Sequence, residues 1–90
     1  MTQLFVTNDF EKKFDRLSKA TKKTIDKLLY GIEKEKIHLR RIPYSKLYAK
    51  KIKRYVILFS KSEERIVAID MITSREFEEN LKKSSIRFML

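Results

Sequence analysis

The stretch Tyr55-Val56-Ile57-Leu58-Phe59-Ser60-Lys61-Ser62-Glu63-Glu64-Arg65-Ile66-Val67-Ala68-Ile69-Asp70-Met71-Ile72-Thr73 decides the fold. Its first five residues form the longest unbroken apolar run of the chain and predict a strand over Ile52–Ser60. Ser60–Glu64 reads as the polar hairpin turn that follows. A second strand is predicted over Arg65–Thr73, where Ile66, Ala68, Asp70 and Ile72 alternate with Val67, Ile69, Met71 and Thr73. Both sets are mostly apolar, as in an interior strand covered on both faces near its middle. Two strands cannot bury that surface by themselves, so the remainder of the chain has to cover it.

Working outward, Pro43 ends an irregular stretch and a further β-like run, Tyr44–Lys51, precedes the hairpin. At the start of the chain Gln3–Thr7 predicts a short first strand. Asn8 followed by Glu11 is a capping-box pattern that opens a helix with an apolar stripe at Phe10, Phe14 and Leu17. The pattern breaks at Ser18–Thr21 and restarts with Ile25, Leu28, Leu29 and Ile32. Gly31 within this second helix costs about 1 kcal/mol relative to Ala, which points to close packing or an early end. From Arg75 the pattern is helical again, with Phe77 and Leu81 on one side, and the tail Ile86–Leu90 is apolar enough to pack on the body or on a partner. The order β-α-α-β-β-β, with room for a last short helix, predicts an α+β fold in two layers. An N-terminal helix hairpin packs on a small, mainly antiparallel sheet.

With 90 residues, of which 42% are hydrophobic and 38% charged, and with one Gly and one Pro, the chain has material for one core and none for a linker. Residues 1–90 are expected to form a single domain. The lack of cysteine excludes disulfides, thiol catalysis and thiolate metal centres, and a single histidine, His38, excludes a multi-histidine site. No metal or cofactor is expected. No apolar run approaches the roughly 20 residues that span a bilayer. Asn8, Asp9 and Glu11 stand where a signal peptide needs a basic and then an apolar segment. The expectation is a soluble, cytoplasmic protein without membrane contact.

The charge is unevenly placed. Of 22 Lys/Arg and 12 Asp/Glu, giving +10, residues 38–61 hold eight basic residues (Arg40, Arg41, Lys46, Lys50, Lys51, Lys53, Arg54 and Lys61) and no acid. In residues 1–37 basic and acidic side chains alternate at helical spacing, as on an ordinary solvated helix. The middle segment repels itself and is relieved by a polyanion. Nucleic acid is the usual one; an acidic protein meets the same demand.

Several strings, in this order, resemble the RelE/ParE superfamily of type II toxin–antitoxin toxins. They are Phe10-Glu11-Lys12-Lys13-Phe14-Asp15-Arg16-Leu17 and Leu39-Arg40-Arg41-Ile42-Pro43, then Arg54-Tyr55-Val56-Ile57-Leu58-Phe59 and Ile72-Thr73-Ser74-Arg75-Glu76. The resemblance covers nearly the whole chain. It implies a small basic toxin wrapped by a cognate antitoxin protein. In the RelE-like branch, which we favour, the toxin enters the ribosome and cuts mRNA, inhibiting translation. In the ParE-like branch it inhibits DNA gyrase without a known hydrolytic site. A third reading, an inactive nucleic-acid-binding module of the same fold, stays open beside both.

Cutting RNA without a metal requires that the 2′-hydroxyl be aimed at its phosphate and that the extra charge on phosphorus be met. Preorganised cations can supply that stabilisation, and a lysine crowded by cations gives up its proton more readily and can act as base. The catalytic candidates are Lys50, Lys51, Arg54 and Arg75. The resemblance gives Arg75, at the close of the last strand, the role of stabilising phosphate, and places Lys50 and Lys51 where the family carries basic residues. A one-residue slip switches which of these two lysines faces the site. Arg40, Arg41, Lys46, Lys53 and Phe77 are candidates for holding nucleic acid, Phe77 by stacking on a base.

Two positions depart from the family pattern. Val56 stands where an arginine usually follows the strand tyrosine; Arg54 is expected on the same sheet face, about 7 Å along the strand. No tyrosine or histidine follows Arg75; Phe77 can stack but carries no proton. Plainer readings compete: Arg75 pairing with Glu78 or Glu79, Tyr44, Tyr48 and Tyr55 as half-buried sheet residues, and His38 as a solvent-exposed loop residue. Ser60, Ser62 and Ser74 have no base arranged by the sequence.

Overall fold

In the computed structural model, which describes residues 2–80, the chain runs β1 (Gln3–Val6), α1 (Asn8–Asp15), α2 (Lys19–Glu33), β2 (Arg40–Arg41), β3 (Tyr48–Ile52), β4 (Tyr55–Lys61) and β5 (Arg65–Thr73). A third helix, α3, occupies residues 74–80. The five strands make one sheet in the order β1-β5-β4-β3-β2, with β1 parallel to β5 and the other pairs antiparallel. The expected α+β fold in two layers is what forms: α1 and α2 cover one face of the sheet, and Phe10, Ile25, Leu28 and Ile32 meet Ile57, Phe59, Ile66, Ala68 and Met71 in a single core. No polar side chain among the described residues is buried in it.

The near-equal apolarity of the two alternating sets in β5 has a structural cause. Leu58 pairs with Asp70 and Phe59 with Ala68, leaving Ile69 as an extra residue in a bulge. The core-facing side chains of β5 are therefore Ile66, Ala68 and Met71, two from one set and one from the other. A regular alternation would turn Asp70 inward with Ile66 and Ala68. Thr7 secures the bulge from β1's end: its hydroxyl donates to the Ile69 carbonyl, and its N–H reaches the Ala68 carbonyl at 3.1 Å.

The same hydroxyl accepts from the Phe10 N–H at 3.2 Å, making Thr7, and not the expected Asn8, the cap of α1. Its extended backbone (φ −84°, ψ 164°), held beside β5, is the geometry a cap requires. Ser18 caps α2 in the same way, at the predicted break. Gly31 is buried, and a Cβ there would stand 2.6 Å from Ile37 Cδ1, so close packing is its reason. Lys36 and Ile37 return their N–H groups to the Gly31 carbonyl, with Glu35 at φ 60° turning the chain out of the helix.

Three boundaries differ from the sequence reading. Tyr44–Lys51 is not one strand: residues 43–47 form a loop, with Tyr44 at φ 60° and the Ile42 N–H bonded to the Leu47 carbonyl. That loop returns the chain from the unforeseen β2 to β3, so the strand begins only at Tyr48. The following strand begins at Tyr55 and not Ile52, because Lys53 and Arg54 are a two-residue turn with Ile52 facing Tyr55 across it. Lys53 has φ 53°, the left-handed geometry that suits the twist of tight hairpins. Finally, α3 starts at Ser74, one residue earlier than expected. Thr73 and Glu76 cap it reciprocally: the Thr73 hydroxyl accepts from the Glu76 N–H at 3.1 Å, and the Glu76 carboxylate accepts from the Thr73 hydroxyl and N–H. Leu81 and the tail Ile86–Leu90 lie outside the described residues. No helix among the described residues is long and apolar enough to cross a membrane.

Candidate nucleic-acid interface

The sheet face away from the helix hairpin carries some of the cations and not others. Register decides which. Lys50 pairs with the core residue Ile57, whereas Lys51 pairs with Val56 and, through it, with Ile72. Alternation therefore assigns Lys50 to the side of the helix hairpin and Lys51 to the open face. Arg40 pairs with Ala49, which shares Lys51's face, and so sits diagonally across from Lys51, with Cα atoms roughly 7–8 Å apart. Arg41 pairs with Tyr48 and alternates to the opposite side, where its Nε donates to the Ser45 carbonyl at 3.0 Å.

These residues border a groove of about 540 Å³ between the strand edge and α3, lined by His38, Arg40, Arg41, Lys50, Lys51, Val56, Ser74, Phe77 and Glu78, among others. Val56, 3% exposed, lies outside the main core cluster and forms the groove's apolar floor. Phe77 stands half-buried at its wall, placed there by the Thr73–Glu76 cap that fixes where α3 begins. Four of the described residues that line it are basic, of which only Lys51 and Arg40 alternate to this face, and Glu78 is the one acid among them.

The other sequence candidates go elsewhere. Lys53 and Arg54 occupy the β3–β4 turn, not the open face that Arg54 was expected to share with Val56. They line a separate cleft of about 390 Å³ with Arg16, Ser18, Thr21 and Tyr55. The Arg54 guanidinium carbon lies 5.4 Å from the centre of the Tyr55 ring. Lys46 is exposed in the β2–β3 loop. Arg75 begins α3 with a side chain 90% exposed, pairs with Glu79 at 3.4 Å, and does not line the groove. The cationic candidates thus separate into a groove set (Arg40, Arg41, Lys50, Lys51), a turn set (Lys53, Arg54) and two outliers (Lys46, Arg75).

Two groove residues, His38 and Ser74, are given plain structural readings by the sequence. His38, expected as a plain loop residue, is exposed but lies in the groove wall. An imidazole beside cations and an aromatic ring can both accept and return a proton. Ser74 borders the same groove with its Oγ buried and without a hydrogen-bond partner among the described residues, although its N–H is held by the Arg54 carbonyl at 2.8 Å. The capping pattern Thr73-Ser74-Arg75-Glu76 was the available signal for Ser74; nothing in the sequence marks His38. Among the described residues no group of three or more His, Asp or Glu could hold a metal ion. The arrangement can bind a phosphate through Lys51 and Arg40, stack a base on Phe77 and exchange protons through His38.

No family model matches the chain, and no curated protein does. Solved structures resemble it in fold. A chain of the RelB–RelE antitoxin–toxin complex from Methanococcus jannaschii superposes with a TM-score of 0.67 at 13% identity, over 84% of this chain and 96% of that one. The conserved hypothetical protein HP0894 from Helicobacter pylori superposes with a TM-score of 0.53 at 11% identity, over 83% and 97% respectively. At these identities the likeness is one of architecture: the chain has the RelE-like α+β fold, a helix hairpin on a five-stranded, mostly antiparallel sheet.

Proposed function

We propose that the protein is the toxin of a type II toxin–antitoxin pair and that it inhibits translation by cutting mRNA in the ribosome. The observation that carries the reading is the cationic groove, in which Lys51 and Arg40 share one open sheet face beside Phe77 and His38. The fold likeness to a chain of an antitoxin–toxin complex supports the toxin part of it and a protein antitoxin as partner.

In this reading the scissile phosphate lies over Val56, held between Lys51 and Arg40. The 2′-hydroxyl of the preceding ribose attacks the phosphorus, the P–O5′ bond breaks, and a 2′,3′-cyclic phosphate and a 5′-hydroxyl result. His38 accepts the hydroxyl's proton, and a proton passes to the leaving oxygen from the protonated imidazole or from water. Phe77 stacks on the neighbouring base and fixes the angle of attack. Lys50, Arg41 and Lys46 hold flanking phosphates. Arg75 contributes only when it releases Glu79.

The test is a cell-free translation reaction with a defined message. Purified protein should stop synthesis and leave cuts inside codons, and Lys51→Ala should remove both effects. Intact message with continued synthesis at stoichiometric protein would overturn the proposal. One observation favours a second reading: Arg54 and Arg75 lie outside the groove, and Val56 fills the position where the resemblance expects an arginine. A gyrase inhibitor needs no cutting centre, and loss of supercoiling activity with the message intact would select it.

A further inference from the structure

We infer that the cleft between the β3–β4 turn and the end of α1 is a second phosphate-binding site, which holds the backbone of single-stranded RNA leaving the groove. Arg16, from the C-terminal end of α1, converges there on Lys53 and Arg54, from the turn. These residues are far apart in sequence and meet only through the fold. No acidic residue lines the cleft, and none of the three cations has an ion-pair partner among the described residues, whose ion pairs are Lys13–Asp70 and Arg75–Glu79. Three like charges gathered without a counter-charge favour an anion that neutralises more than one of them.

The geometry favours RNA backbone over an acidic peptide. Lys51 in the groove and Lys53 in the cleft are two residues apart, so their Cα atoms lie at most about 7 Å from each other, a gap that one step of an extended nucleic-acid strand covers. A chain of phosphates can therefore pass from groove to cleft around the hairpin end without a break. Arg54 is already held against the face of Tyr55, which leaves the N–H edge of its guanidinium free to fork onto a phosphate. Ser18 and Thr21 satisfy each other at the start of α2, so the cations, and not the helix end, do the binding.

The site is independent of cutting and is tested with RNA that cannot be cut. Fluorescence anisotropy on 2′-O-methylated oligonucleotides, one of three nucleotides and one of ten, compares the wild-type protein with Arg16→Gln/Lys53→Gln/Arg54→Gln over a range of salt. The longer RNA should lose at least about tenfold in affinity, and its log–log salt slope should shrink by about 1.4, the value for two single-strand phosphate contacts. The trinucleotide, filling only the groove, should bind both proteins alike. Equal losses for both lengths, or an unchanged salt slope, overturn the inference. So does a variant that keeps its RNA affinity but loses binding to a poly-glutamate peptide, which assigns the cleft to an acidic protein. Because all three residues are exposed, folding should be unaffected. Lys53→Gln alone, with an expected slope change of about 0.7, repeats the test with the least perturbation.

Discussion

The two faces of the sheet obey different rules. On the helix-hairpin face, Ile57 and Phe59 are fully buried between α2 and β5, and each position is defined by what it excludes. On the other face, Lys51 and Arg40 keep their charges in solvent around a floor of Val56. The first face is held by area removed from water and tolerates little change in volume. The second is held by register, since Lys51 and Arg40 are exposed and have no ion-pair partner among the described residues, and its chemistry should be deletable without loosening the molecule. Stability and activity should therefore come apart by face.

The sharpest break in that comparison is Phe59→Ala. It should cost about 3–5 kcal/mol, enough to unfold much of a small domain, read as a collapse of the urea midpoint. Should the midpoint barely move, the helix face is not the seat of stability. Lys51→Ala should do the reverse. RNA cutting should fall by about 10²–10³-fold, while the unfolding free energy stays within about 0.5 kcal/mol of wild type; Lys50→Ala, on the other side of β3, should lose much less activity. Thr7→Val tests the seam where the faces are set, because it removes the cap of α1 and the donor to the Ile69 carbonyl together. A loss of about 1–2 kcal/mol is expected, with Thr7→Ser restoring most of it. Asp70→Asn, which breaks the 2.8 Å pair with Lys13, should cost under about 1 kcal/mol and matter less as salt rises. Gly31→Ala should change least: the helix gains up to about 1 kcal/mol of propensity, which the Ile37 side chain offsets by giving way. A loss beyond about 2 kcal/mol would mean that Ile37 is pinned.

What was legible in the sequence follows the same division. Long apolar runs announce themselves: Arg65–Thr73 has the bounds expected, and both helices appear where their stripes lie. Turns made without Gly or Asn do not, because Lys53 and Tyr44 adopt positive φ against their own preference and are held there by the ladder around them. The bulge at Ile69 left a trace, the mixed apolarity of β5, that could be read equally well as an interior strand. The site was legible as a charge excess in residues 38–61 but not as a geometry. Only pairing with Val56 separates Lys51 from Lys50, and only the tight turn sends Arg54 away from the face of Val56. His38 enters the groove through a loop whose path no local pattern dictates.

The parallel pairing of β1 with β5 has a bearing on synthesis. Gln3 lies beside Arg65, and Thr7 bonds to Ile69 across 62 residues of chain. The first strand made waits for the last before it has a neighbour, and contacts so distant in sequence form late. β1 therefore stays unpaired until β5 has emerged, and the sheet is incomplete before then. If the finished molecule attacks translation, the ribosome that builds it is spared until β5 has left it and taken up β1.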